Sequence, residues 1–396
     1  MSLYSQRGVS AQKDDVHKAT ERLDKGLYPY AFCKIFEDLL GGDKDWVNLM
    51  HADGAGTKSI IAYLYWKETG NMEVWKGIAK DAIVMNLDDL LCVGIYDQLL
   101  FTSTIDRNKN RIPGELLETI INATQDFFDE LREWGIHISF LGGETADVGD
   151  LVRSIVVNGT MTARWKKSKL IHNEKIHPGD FIIGLASSGQ ADYEKQYNSG
   201  IGSNGLTSAR HDLLNKSYAV RFEESFNHSM DPAVAYIGPY LLTERPNPSI
   251  QILHEEAGLF TIGELLLSPT RTYAPLIKAL LENHFEDIHG LIHCSGGGQT
   301  KCMKYLPGNF RVIKDNLFEP PLIFQLIQQA SGADYREMYQ VFNMGHRMEI
   351  FTTESSAEDM IKIAGQFGID AKIVGRVEAA EKKELILYAG QEQIVY

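Results

Sequence analysis

The sequence predicts a two-domain protein, an α/β unit followed by a second one. Three observations carry this expectation. A length of 396 residues exceeds what one ordinary hydrophobic core organises. Apolar strand-like runs alternate with helical periodicity along the chain. A polar, basic stretch, Trp165-Lys166-Lys167-Ser168-Lys169, reads as a connector between two such series. The expected domains are therefore 1–166 and 167–396.

In the first half, residues 46–52 read as a short buried strand running into a glycine turn. Over 74–93, Ile78, Ala82, Met85, Leu90 and Leu91 recur at helical spacing. A strand is expected at 96–105. Pro113 opens a helix whose buried face carries Leu116, Ile120, Ile121, Phe127, Phe128 and Leu131, and which stops before Gly135. Strands at 136–141 and 154–163 complete the unit. The second half opens with a strand at 181–186. It continues with helices near 204–215, 270–284, 320–331 and 356–366, and strands near 347–352, 371–377 and 384–388. Residues 217–265, rich in Pro, Asn and His, are expected to be a surface elaboration.

Composition narrows the function. The net charge of −14 argues against a nucleic-acid surface, which needs clustered Lys and Arg. It is compatible with a small anionic ligand whose charge a metal ion neutralises locally. Cys33, Cys92, Cys294 and Cys302 form no Cys-x-x-Cys pair and read as reduced thiols of a cytoplasmic protein. Met1 to Arg7 has no signal-peptide core, and no run of 18 apolar residues predicts a membrane span.

Two familiar glycine patterns fail. Gly54-Ala55-Gly56-Thr57-Lys58-Ser59 lacks the glycine directly before lysine that a Walker loop requires. Gly200-Ile201-Gly202-Ser203-Asn204-Gly205 matches the dinucleotide fingerprint, but the polar run before it is no strand. More informative are strands that end in glycine and an acid: Asp53 before Gly54 and Gly56, and Glu144 after Gly142 and Gly143. Such turns offer N–H groups to phosphate while the acid holds a divalent ion. Taken singly, Asp53 is more readily a helix cap, and Glu144 a turn acid, than a catalytic group. Asp81 and Asp88 point in nearly the same direction on one helix, with Asp89 a step round. Asp88 and Asp89 sit near a helix C-terminus, where the macrodipole disfavours negative charge and a partner cation would help. In the second half, Ser187-Ser188-Gly189 and Ser203-Asn204-Gly205 are further turns, and Gly296-Gly297-Gly298 at a helix start suits an anion. His289 and His293 flank Gly290 without the glutamate of a zinc protease.

This ordered set resembles the aminoimidazole ribonucleotide synthetase (phosphoribosylformylglycinamidine cyclo-ligase) family over nearly the whole chain. The first half contributes Asp53 to Lys58, Asp81 with Asp88-Asp89-Leu90, and Gly142 to Ala146. The second contributes Ser187 to Gly189, Ser203 to Gly205, Ser268 to Tyr273, His293 to Gly298, and Glu337 to Gly345. The resemblance implies an α+β first domain that dimerises through its sheet, an α/β second domain, and Mg2+ and ATP as cofactors. It implies Asp53, Asp89 and Glu144 as metal ligands. It gives Lys58, Thr57, Gly56, Asp81 and Gly143 as ATP contacts, and Gly296, Gly297, Gly298, Asn343 and Ser188 as the ribonucleotide's contacts. His51 and His293 are the candidates for a base. Which of Lys13, Lys18 or Arg22 meets ATP is open at this stage.

The resemblance also implies the reaction: the formyl oxygen of formylglycinamidine ribonucleotide attacks the γ-phosphate of ATP, and an amidine nitrogen then closes the imidazole ring. The chain departs from the family pattern at an insertion over 190–202, which leaves the family's loop histidine without a counterpart, and at 217–265. The loop after Glu144 is short, and His346-Arg347 replaces a small Val-Gly pair. Siblings such as selenophosphate synthetase or thiamine-phosphate kinase are rivals, although residues 1–32 lack the cysteine of the former. An inert nucleotide-sensing relative is the other alternative.

Overall fold

The computed structural model describes residues 3–9, 18–246 and 255–396. After a helical turn at Leu3–Gln6, the first half runs β1 (Phe36–Glu37), β2 (Trp46–Gly54), α1 (Lys58–Thr69), α2 (Val74–Leu91), β3 (Leu99–Arg107), α3 (Gly114–Glu133), β4 (Ile138–Asp147) and β5 (Ile155–Lys166). Its sheet has the order β1-β2-β5-β3-β4, antiparallel except for the β3–β4 pair. The second half adds β6 (Phe181–Ala186), α4 (Leu206–Leu213), α5 (Ser217–Arg221), α6 (Ile262–Leu267), α7 (Ala274–His284), β7 (Ile288–His293), β8 (Phe310–Lys314), α8 (Leu322–Ser331), α9 (Tyr335–Val341), β9 (His346–Thr352), α10 (Glu354–Gly365), β10 (Ala371–Ala379), β11 (Glu384–Ala389) and β12 (Glu392–Val395). Its mixed sheet has the order β12-β11-β8-β10-β6-β9-β7. The expected two-part α/β architecture is the observed one.

Strand alternation sets the two faces of the first sheet. Val47 and Leu49 on β2, and Val157, Met161 and Ala163 on β5, are buried on the helix side. The opposite face leaves Met50, Leu100 and Leu141 at 71%, 43% and 62% exposure. Helix α2 is buried almost all round because it lies between the halves. Ile83, Leu87 and Leu91 share one core with Val47 and Leu49 of the first sheet and with Ile182, Leu291 and Met348 of the second. A helix packed on every side needs no polar stripe, which explains its apolar composition.

The structure corrects three expectations. Strand β2 runs on through Asp53 and Gly54, and β4 through Glu144, so neither acid sits in a loop. Glycine permits this in β4. Gly142 has φ +82° at a shift in the β3–β4 register, and a Cβ on Gly143 would strike the Ser103 carbonyl. Residues 270–273 precede α7 and do not belong to it. Nor are the described parts of 217–265 a surface elaboration, because Tyr218, Tyr236 and Leu242 are fully buried. Its polar groups clamp the first half: Tyr218 Oη donates to Glu68 (2.6 Å), Arg221 pairs with Glu68 (2.7 Å), and Tyr63 Oη donates to Glu224 (2.5 Å).

Candidate functional site

Two clusters of charge lie on different sides of α2. The first is a latch between the halves. Asp81 Oδ1 accepts from Lys58 Nζ (3.0 Å) and from the Thr270 N–H (2.7 Å), while Lys58 also donates to the Ser268 carbonyl (2.5 Å). One helical repeat later, Asp88 accepts from Thr272 Oγ1 (2.6 Å) and the Tyr273 N–H (3.3 Å). All three charged groups are wholly buried. Burial pushes Asp88 up to about 6, against the pull of His293, Arg347 and its two donors. The same segment is fixed from the other side by Arg271, which pairs with Glu194 (2.5 Å) and donates to the Ala186 and Ser188 carbonyls (both 3.0 Å).

The second cluster lies where β2, the end of α2 and the end of β7 meet. Asp89 Oδ2 contacts His51 Nε2 (3.1 Å) and its Oδ1 contacts His293 Nδ1 (2.7 Å). Asp53 stands two residues beyond His51 on the same side of β2. Asn86 ties the pieces together. Its amide donates to the carbonyls of Ala82, Asp53 and Gly159, which leaves its oxygen to face His51 Nδ1 at 3.0 Å. His51 therefore donates from both ring nitrogens, as an imidazolium does. Burial disfavours that charge, but the hydrogen bond and field of Asp89 outweigh it, and the His51 pKa rises. Burial likewise opposes ionisation of Asp89, yet His293 and His51 hold it below the usual carboxylate range. Asp53, reachable by solvent at the strand end but crowded by protein, is raised first by desolvation and then by the Asp89 charge. His293 spends Nδ1 on Asp89, with Ser295 Oγ 3.2 Å away, and its buried Nε2 has no partner among the described residues.

Several expected contacts are not where the sequence suggested. Lys58 and Asp81 do not face the cleft, because each neutralises the other in the interior. Thr57 bonds Thr207 across the halves (2.6 Å), while Gly56, at φ +57°, has open space above it. Asn343 is fully engaged: its oxygen accepts from Ser187 Oγ (2.8 Å) and the Gly345 N–H (3.0 Å), and its amide donates to the Gly200 carbonyl (2.8 Å). Ser188 contributes its carbonyl to Arg271. Gly296 and Gly297 are open, but a Cβ on Gly298 would meet the Tyr339 carbonyl at 2.3 Å, so packing demands that glycine.

Asp53 and Asp89 come together; Glu144 does not join them. Asp53 is in register with Gly159, Ser103 and Gly143 across three strand spacings, roughly 14 Å. Glu144 pairs with Thr104 and so turns to the outer face of the sheet. Lys13 lies outside the described residues, and Lys18 and Arg22 are exposed. Nothing in the pattern of residues singles out Asn86, whose role depends on three carbonyls from three elements.

Known proteins resemble this chain over most of its length. Residues 37–165 match the family model "AIR synthase related protein, N-terminal domain", and residues 248–388 match the corresponding C-terminal domain. A phosphoribosylformylglycinamidine cyclo-ligase of Methanocaldococcus jannaschii is 30% identical over 333 residues, covering 84% of this chain and 79% of that protein. One from Thermococcus kodakarensis is 30% identical over 374 residues, 92% of each chain. Among solved structures, Thermotoga maritima PurL complexed with FGAR aligns with TM-score 0.55 at 13% identity, covering 96% of this chain. The chain spans about half (48%) of that protein. A chain of the HypE–HypF complex aligns with TM-score 0.53 at 14% identity over 98% of both chains. No helix among the described residues is long and apolar enough to cross a membrane.

Proposed function

The chain belongs to the AIR synthase related family, and from that premise we propose that it is a phosphoribosylformylglycinamidine cyclo-ligase. It converts formylglycinamidine ribonucleotide and ATP to aminoimidazole ribonucleotide, ADP and phosphate. The observation that carries this reading is 30% identity to enzymes of that name over 84–92% of the chain, and the Asp53–Asp89–His51–His293 cluster supplies chemistry that fits it.

An amide oxygen leaves poorly, so it must first be phosphorylated. The formyl oxygen attacks the γ-phosphorus and ADP departs. The amidine nitrogen then attacks the activated carbon, loses a proton, and the C–O bond breaks to release phosphate. Asp53 and Asp89 are hard oxygen donors that fit a magnesium ion, which takes one or two carboxylates and leaves its other positions to phosphate and water. When bound, that ion would neutralise charge on the transferring phosphoryl group. His51, donating to Asp89 and Asn86, fixes the Asp89 carboxylate. His293 carries its proton on Nδ1 toward Asp89, so Nε2 presents a lone pair able to take the proton lost at ring closure. Hydrogen bonding thus favours His293 over His51 as the base.

A homodimer formed through the outer face of the first sheet fits the same reading. That face exposes Met50, Leu100 and Leu141, an apolar strip that a monomer would leave wet. It also carries Glu144, which would then serve the partner subunit's metal site. Incubation with ATP, Mg2+ and formylglycinamidine ribonucleotide should yield aminoimidazole ribonucleotide and ADP in equal amounts. ATP hydrolysis without ring closure would sink the assignment.

A further inference from the structure

Arg347 is the second residue of β9, and the strand register breaks there. Leu185 pairs with Met348 and Ala186 with His346, so Arg347 is the extra residue of a bulge. Bulges re-aim a side chain, and this one turns the guanidinium into the seam between the halves. There it lies against the Tyr273 ring (5.5 Å), and Nη2 donates to the Arg271 carbonyl. The residue is 1% exposed, yet Nε and Nη1 have no hydrogen-bond partner among the described residues. Asp88 balances part of the charge through space, but its oxygens are engaged by Thr272 and Tyr273. A buried guanidinium stays charged and is costly to leave half-bonded.

Backbone lies beside Nη1. Gly202 (φ +68°) stands so close that a Cβ there would approach Nη1 to 3.3 Å. No hydrogen-bond acceptor is found among the described residues for the N–H groups of Gly202, Ser203 and Asn204. A turn of unspent N–H groups beside the unspent Nη1 of a guanidinium is complementary to an oxyanion, because a charged donor strengthens each contact to phosphate. The open glycines Gly296 and Gly297 adjoin this turn, with Asn204 Oδ1 3.6 Å from the Cβ position of Gly296. Cys294, at the start of that glycine run, donates its N–H to the Arg347 carbonyl (2.7 Å).

We propose that Arg347, on the β9 bulge opposite Gly202, is the receptor for a phosphate monoester entering the seam between the two halves. This rests on the function proposed above, under which the group is the 5′-phosphate of the ribonucleotide. The test titrates the full-length protein with ribose 5-phosphate and, separately, with ADP and Mg2+. Arg347→Gln should raise the Kd for ribose 5-phosphate at least tenfold and leave that for ADP unchanged. Arg347→Lys, which keeps the charge but loses the fork, should fall between. Without ligand, the melting temperature of Arg347→Gln should not drop, because the change removes a half-bonded buried charge.

Unaltered ribose 5-phosphate binding in both variants would overturn the proposal, as would a wild-type protein that does not bind this probe. A matching loss of ADP affinity would overturn it too, assigning the fork to the nucleotide's phosphates. None of these titrations involves turnover. Failure of ring closure alone would therefore sink the reaction assignment and leave the phosphate receptor standing.

Discussion

Asp88 and Asp89 are neighbours on one helix, yet they belong to opposite kinds of chemistry. On the Asp88 side, with Asp81, each carboxylate accepts fixed hydrogen bonds from the second half and faces no second carboxylate. On the Asp89 side, one carboxylate faces another across His51, and His293 keeps a free nitrogen. The first cluster holds the halves together. The second leaves electrostatic demand unmet, as a site for a cation and a reacting phosphate would. The difference teaches that an acid's surroundings, not its position on the helix, decide whether it is cement or machinery.

The contrast can be broken by substitution. Asp81→Asn should have the largest effect on stability, about 3–5 kcal/mol, because it strands the buried Lys58 ammonium. Turnover per folded molecule should survive, as denaturant melts beside active-site titration will show; a dead but fully stable variant would merge the two clusters. His293→Gln should behave in the opposite way, lowering kcat about 10²–10⁴-fold as expected for loss of a general base. Its urea midpoint should move less than that of Asp81→Asn.

Asp89→Asn and Glu144→Gln should each lower kcat about 10²–10³-fold, comparable to one preorganised electrostatic contact. Losing its two histidine partners should also cost the Asp89 variant about 1–3 kcal/mol of stability. Mixing these two variants sharpens the comparison further. If Glu144 serves the partner subunit, each mixed dimer contains one intact site, and random exchange should restore about a quarter of wild-type activity. No recovery would return Glu144 to its own subunit or remove it from the site. The smallest effect is expected from Tyr63→Phe, which deletes one bond to Glu224. It should cost about 0.5–1.5 kcal/mol and leave kcat and KM unchanged.

Much of this was legible in the chain. Helical spacing located α2, and short apolar runs located β2 and β5, because burial leaves its pattern on sequence. The same periodicity aligned Asp81 with Asp88, but direction on a helix does not say what stands opposite. Thr270 and Thr272 are about 190 residues away, so their capture of those acids was invisible. Glycines misled for a related reason. Gly143 and Gly298 resemble phosphate turns, although a neighbouring backbone requires each of them. The buried tyrosines of 217–265 were hidden by polar surroundings whose partners, Glu68 and Tyr63, lie in the other half.

The placement of α2 between two sheets also bears on how the chain is made. Residues 1–166 emerging alone would expose Ile83, Leu87 and Leu91 and leave two interior carboxylates and an ammonium without the segment that satisfies them. Tyr273 is 182 residues beyond Leu91, roughly 10–40 s of synthesis at about 5–20 residues per second. During that interval the nascent first half is an unfinished object with a sticky seam, and chaperone dependence should concentrate there. Pulse-labelled ribosome-bound chains halted at residue 200 should bind a holdase, and chains halted well past residue 300 should not.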